Sequence, residues 1–242
     1  MRVYKTEHYD AMSLRAARLI AAQVLKNPRC VLGLATGSTP VGLYQKLIER
    51  YNDGILDFSQ VRSVNLDEYE GLDGGHDQSY RYFMQKNLFD HINIRHENTY
   101  VPNGKAADPA AEGARYDALI RDLGGIDLQL LGLGHNGHIG FNEPSDRFIP
   151  GTHEASLTQN TIDANARFFD HADQVPRKAI TMGIAAIVQA RQVLVVVSGA
   201  DKADAVYAAF RGPVTPVCPA SILQLHSDVI LVGDEAALSR LD

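Results

Sequence analysis

The chain has 242 residues, of which 45% are hydrophobic and 21% charged, a composition that fits one α/β unit with a sizeable core and excludes a disordered or membrane-embedded chain. Its 23 basic and 29 acidic residues give a net charge of -6, which opposes nonspecific binding to nucleic acid or anionic membranes and leaves a small molecule as the expected partner. The opening MRVYKTEHYD has no apolar run of the kind that addresses a protein to a membrane or for export, so the cytoplasm is the expected compartment. Cys30 and Cys218 sit in apolar or proline-containing stretches and read as buried thiols rather than a disulfide framework.

Apolar runs rich in Val, Leu and Ile at 31–35, 61–66, 126–133, 193–197 and 229–232 read as strands buried on both faces. Between them, 11–26, 41–51, 80–92, 107–123, 178–190 and 202–210 read as helices, most with apolar residues three and four apart. The alternation predicts a single domain over residues 1–242: a doubly wound, mainly parallel sheet, α/β and modified Rossmann-like. The least regular region, 142–176, predicts a lid with a short strand near 153–157 and a helical patch near Asn165. In such sheets the ligand sits beyond the carboxyl ends of the strands, so the residues after each apolar run are the candidates.

After the first strand comes Thr36-Gly37-Ser38-Thr39-Pro40, then a helix. Thr39 as N-cap and Pro40 at the first helical position would leave backbone N–H groups and the helix dipole facing an anion. Gly37 allows close backbone approach, and the Thr36 and Ser38 hydroxyls add donors. No Gly-Lys-Ser/Thr follows, so this is not a Walker loop. The next strand runs into Asp67-Glu68-Tyr69. One carboxylate suits a general base, whereas acids after a strand are often solvated turn formers, the reading that fits Glu68 better than Asp67.

The central strand leads into GLGHNGHIGFNEP, residues 132–144. Gly132-x-Gly134-x-x-Gly137 matches the dinucleotide fingerprint only formally, because Gly140, Asn142 and Pro144 break the helix that should open there. His135, His138 and Glu143 offer a metal reading, but glycines surround them instead of a rigid element, and no metal is expected. The remaining reading is acid/base work by His138 with Glu143 as its partner.

Together, ATGSTP, NLDEY, GHNGHIGFNEP, NARFFD and SGADK, in this order and across nearly the whole chain, resemble the glucosamine-6-phosphate deaminase/isomerase family. The 6-phosphogluconolactonases of the same superfamily are similar in the phosphate loop and the glycine-histidine segment. Tyr69 after the acidic pair and Asn142-Glu143-Pro144 look like the deaminase branch. The resemblance implies conversion of glucosamine 6-phosphate to fructose 6-phosphate and ammonia without a cofactor. It implies Asp67 as the base at C2 and C1, His138 with Glu143 for ring opening, and Lys202 and Arg167 closing on the Gly37-Ser38 turn around the phosphate. Some members carry an aspartate where this chain has Asn136, which is expected to orient the imidazole by a hydrogen bond. A homo-oligomer and a monomer are both compatible with the family. The rival functions are lactone hydrolysis and a sugar-phosphate sensor that binds without turnover.

Overall fold

The computed structural model describes residues 1–165, 169, 171 and 174–241. In chain order the strands are β1 (Arg2–Thr6), β2 (Val31–Leu34), β3 (Arg62–Asn65), β4 (Asp67–Tyr69), β5 (Thr99–Tyr100), β6 (Leu128–Leu131), β7 (His153–Ser156), β8 (Lys178–Thr181), β9 (Val193–Val197) and β10 (Val229–Asp234). The helices are α1 (Tyr9–Lys26), α2 (Val41–Asn52), α3 (Tyr80–Asn87), α4 (Pro109–Asp122), α5 (Gln159–Asn165), α6 (Ile184–Val188) and α7 (Ala203–Arg211).

Seven strands form one sheet in the order β1-β10-β9-β6-β2-β3-β5, every neighbouring pair parallel. The five apolar runs are all in it. They read clearly because a strand covered on both faces needs no polar side: β9 is Val-Leu-Val-Val-Val and buried throughout. The order reverses between β2 and β6, since the chain winds outward from β2 through β3 to β5 and from β6 through β9 to β10. That is the switch point, where the loops after β2 and β6 part and open a crevice.

A second sheet of three antiparallel strands, β4-β8-β7, stands beside the first. Leu66 joins the two: its N–H donates to Leu34 in the large sheet and its carbonyl accepts from Met182 after β8. Asp67 therefore enters β4 directly opposite Thr181. A smaller apolar cluster, including Tyr69, Phe141, Leu157 and Ala179, fills the space under this sheet.

Four elements differ from the sequence reading, one of them the two-residue edge strand β5, which was not foreseen. The stretch 178–190, expected as helix, is β8 followed by the short α6. Gly183 caps α6 between them, and a Cβ there would meet the carbonyl oxygens of Pro150 and Gly151 at 2.2 Å, so the position requires glycine. β1 was not foreseen because an edge strand paired only with β10 is largely exposed and carries polar residues. β4 was read as a turn, but its Asp-Glu-Tyr is buried from end to end. Within 142–176, the short strand and the helical patch appear as β7 and α5.

Asp234, 6% exposed at the end of β10, accepts from Ser198 Oγ, Gly199 N and Ala237 N. It thereby pins the β9 exit, where Gly199 takes φ +100, just before Lys202. Asp234→Ala leaves these donors without their acceptor and is expected to cost about 1–3 kcal/mol. Urea unfolding would read this, and an unchanged midpoint would show that the carboxylate does not hold the loop.

Candidate active site

The loop after β2 is fixed from two sides. Tyr44 of α2 donates its hydroxyl to the Ala35 carbonyl at 2.6 Å. Tyr9 of α1 reaches the Ser38 and Thr39 carbonyls at 3.2 and 3.1 Å and accepts from Gly42 N at 2.8 Å. Gly37 turns the chain with φ +93, a conformation that side chains with a Cβ seldom adopt. The expected cap is displaced by one residue. α2 begins at Val41, and Pro40 occupies the position before it without a side-chain cap bond. The Tyr9 hydroxyl takes that part on Gly42 N, so Thr39 does not cap the helix and instead lines the crevice with Thr36, Gly37 and Ser38.

The crevice is a cleft of about 230 Å³. Besides this loop, it brings together Asp67, Asn136, His138 and Lys202 of the residues expected from the sequence. Glu143 stands behind His138, on the wall of an adjoining cavity. Arg167 lies outside the described residues. Lys202 enters from the turn before α7, and its ammonium donates to the Leu133 carbonyl at 2.9 Å.

Asp67 is 5% exposed. Its Oδ2 would lie 3.4 Å from a Cβ at residue 140, where the chain has glycine with φ +57, so the loop after β6 passes close to the carboxyl. Burial, with the neighbouring Glu68 charge, pushes the Asp67 carboxyl up to about 8. Glu68 is not the solvated turn former of the sequence reading. It is 2% exposed and accepts from the N–H groups of Tyr69, Tyr80 and Arg81.

Across the cleft, His138 rests on Gly134, where a Cβ would meet the ring at 2.3 Å. Its Nδ1 is 3.5 Å from Glu143 Oε2, close enough for charge pairing but long for a hydrogen bond. Asn136 does not orient the imidazole as expected. Its Nδ2 donates to Glu143 Oε2 at 2.8 Å and its Oδ1 accepts from His138 N at 3.1 Å, so it fixes the carboxylate and the backbone on either side of the ring. Thr161 of α5 donates to the other oxygen of Glu143. Burial alone would raise the Glu143 carboxyl, but His138, Thr161 and Asn136 outweigh it and bring it down to about 2. His135 points elsewhere, its Nε2 2.6 Å from Asp201 Oδ2 at the exposed rim, so the two imidazoles do not converge on one point.

The sequence reading did not find Tyr80 and Thr161, which also line the cleft. Tyr80 follows a polar loop with no strand before it, and Thr161 lies in the irregular region. The only local signal was Ser79, which caps α3 through its hydroxyl to Tyr82 N.

Residues 4–232 match the model of the family described as glucosamine-6-phosphate isomerases/6-phosphogluconolactonase. A glucosamine-6-phosphate deaminase of Clostridium perfringens is 57% identical over the full length of both chains. One from Lachnoclostridium phytofermentans is 60% identical over 96% of this chain and 98% of its own. A solved monomeric glucosamine-6-phosphate deaminase superposes with a TM-score of 0.97 at 44% identity, over 99% of this chain and 100% of that one. A 6-phosphogluconolactonase of Trypanosoma brucei, at 18% identity and a TM-score of 0.76, over 100% of this chain and 98% of that one, shares the fold. By its sequence over nearly its whole length, the chain belongs to the glucosamine-6-phosphate isomerase/6-phosphogluconolactonase family.

Proposed function

We propose that this protein is a glucosamine-6-phosphate deaminase, converting glucosamine 6-phosphate and water to fructose 6-phosphate and ammonia without a cofactor. The observation that carries the reading within the family is the Asp67 carboxyl, buried and raised to about 8, facing the His138–Glu143 pair across the cleft. A base for a weakly acidic C–H bond needs high proton affinity, and burial supplies it. His138, backed by the Glu143 charge, opens the sugar ring to the C1 aldehyde. Asp67 takes the C2 proton that the aldehyde has acidified and returns it to C1, which leaves an imine at C2. Water adds there, ammonia leaves, and the ketose forms.

The phosphate sits on the loop of Thr36, Gly37, Ser38 and Thr39, at the positive end of α2, with Lys202 and Arg167 as cations. The 142–176 segment serves as the lid, in keeping with Thr161 of α5 on the cleft wall. We place the enzyme in the cytoplasm, in amino-sugar catabolism, acting as a monomer like its solved relative. Among the described residues no helix is long and apolar enough to cross a membrane. The test is ammonia release from glucosamine 6-phosphate beside hydrolysis of 6-phosphogluconolactone. Hydrolysis of the lactone without ammonia release would replace this function with the rival one.

Asp67→Asn keeps the shape and removes the base, so turnover and solvent exchange of the C2 proton are expected to fall by about 10²–10⁴-fold. Exchange at the native rate would remove Asp67 from this role. The same variant tests burial through stability. The carboxyl ionises near 3.8 when unfolded and near 8 when folded, so between these values the native state binds more protons than the unfolded state. Stability of the native sequence therefore drops as pH rises through that window, and Asp67→Asn lacks this contribution. Thermal melts at acid and alkaline pH should show the variant gaining on the native protein as pH rises, and a constant difference would contradict the raised proton affinity.

Lys202→Ala should raise KM for glucosamine 6-phosphate roughly tenfold or more, because a charge-assisted contact to phosphate is lost. Competition by free glucosamine equal to that by its phosphate would show that this end of the cleft does not recognise the anion.

A further inference from the structure

Two carboxyls stand next to each other in β4, and both are buried. Successive residues of a strand point to opposite faces, so Asp67 faces the cleft and Glu68 faces away from it. What Glu68 meets there is the first turn of α3. Its Oε1 accepts from Tyr69 N and Tyr80 N at 2.9 Å each, and its Oε2 accepts from Arg81 N at 3.0 Å. Ser79 Oγ takes the next amide, that of Tyr82, so the carboxylate and the serine together satisfy the opening N–H groups of the helix. The loop at Gly104 closes over the carboxylate: a Cβ there would meet Tyr69 O at 2.1 Å and Glu68 Cγ at 3.1 Å.

We propose that Glu68 is a positioning residue for the chemistry at Asp67: clamped on α3, its carboxylate fixes the strand that carries Asp67 and holds a buried negative charge beside it. The same clamp sets the backbone of Tyr80, whose ring lines the cleft. The inference rests on the reading of Asp67 as the base.

The two carboxyls differ in what surrounds them. Burial leaves the Glu68 carboxyl raised on balance, while three N–H donors and the Arg81 charge pull it back towards its anion. Asp67 is raised by burial and, second, by Glu68 itself. The phenols of Tyr69, Tyr80 and Tyr116 and the Arg81 charge also interact with this pair, and His135, His138 and Lys202 line the same cleft as Asp67. Thr181, opposite Asp67 on β8, carries no charge. With three N–H groups pointing at its oxygens, Glu68 is the member of the pair to which the proposal gives the negative charge, and Asp67 the member that takes up and releases the proton.

The test is the pH profile of kcat/KM for Glu68→Gln and Glu68→Asp, with Asp67→Asn as control. Glu68→Gln removes the charge, so the acid limb should move to lower pH by about one unit, with a reduced kcat. Glu68→Asp keeps the charge but is too short to hold both helix amides, so the limb should stay in place while kcat falls. A purely structural role would lower kcat or stability in both variants and leave the limb where it is, and that outcome overturns the proposal.

Should Glu68→Gln fail to fold, carbon NMR of the side-chain carboxyls in the native protein decides. Glu68 must remain ionised through the range in which Asp67 titrates, and the reverse order overturns the inference. If Asp67→Asn retains native C2 proton exchange, the base assignment itself is wrong. If it loses exchange while the Glu68→Gln limb is unmoved, only the role of Glu68 fails.

Discussion

A carboxyl taken out of water and set beside a second carboxyl is the constraint around which this molecule is organised. Asp67 is 5% exposed and has Glu68 as its sequence neighbour. Desolvation disfavours its anion, so the folded chain holds a group of high proton affinity at a cost in stability above the ordinary carboxylate range. Proteins tolerate such costs where function requires them. The surrounding scaffold makes the position rigid. Leu66 is bonded into both sheets, so the strand that carries Asp67 cannot shift without breaking contacts on either side. The loop after β6 closes on the carboxyl at a glycine with φ +57, where a Cβ would press on Thr181 and touch Asp67.

Glu143 solves the opposite problem. It is also withdrawn from solvent, yet His138, Thr161 and Asn136 bring it down to about 2 and so favour its anion. Two acids of nearly equal intrinsic strength are thus driven far apart by their partners, one towards proton exchange and the other towards fixed charge. Asn136 makes this division stable. It bonds Glu143 with its amide N–H and the His138 backbone with its carbonyl, so the imidazole is placed by what lies on either side of it. An asparagine does this without adding a further anion to a loop that already carries Glu143.

The sheet was legible because β2, β6, β9 and β10 are buried on both faces and their sequences have no polar side to obscure them. The loop after β2 and the glycine-histidine loop were legible for a related reason. Each follows such a strand, and the ends of such strands are where ligands bind. The acidic strand was not. Asp-Glu-Tyr reads as a turn unless one knows that Glu68 has two backbone donors waiting on α3, twelve and thirteen residues away, and that the strand has β8 to pair with. β8 was hidden in the same way, since Lys-Ala-Ile-Thr suits either a helix or a strand and only its partners β4 and β7 decide. The reach of Asn136 to Glu143 likewise depends on the path of the chain between them, where Gly137 and Gly140 both take positive φ.

The fold alone does not choose between deamination and lactone hydrolysis, since a lactonase at 18% identity superposes over the whole chain. Under the proposed role of Asp67, the two reactions ask different things of the cleft. Hydrolysing a lactone requires water to be deprotonated as it attacks a carbonyl that is already electrophilic, and a histidine of ordinary basicity suffices for that. Moving a proton between two carbons is harder, because the C–H bond must be broken by a group that will also give the proton back. Such a group works best when its proton affinity lies near the working pH, so that neither half of the transfer is strongly uphill. An exposed aspartate is too weak a base for this. Asp67, raised to about 8 by burial and by Glu68, has the affinity that the proposed transfer needs.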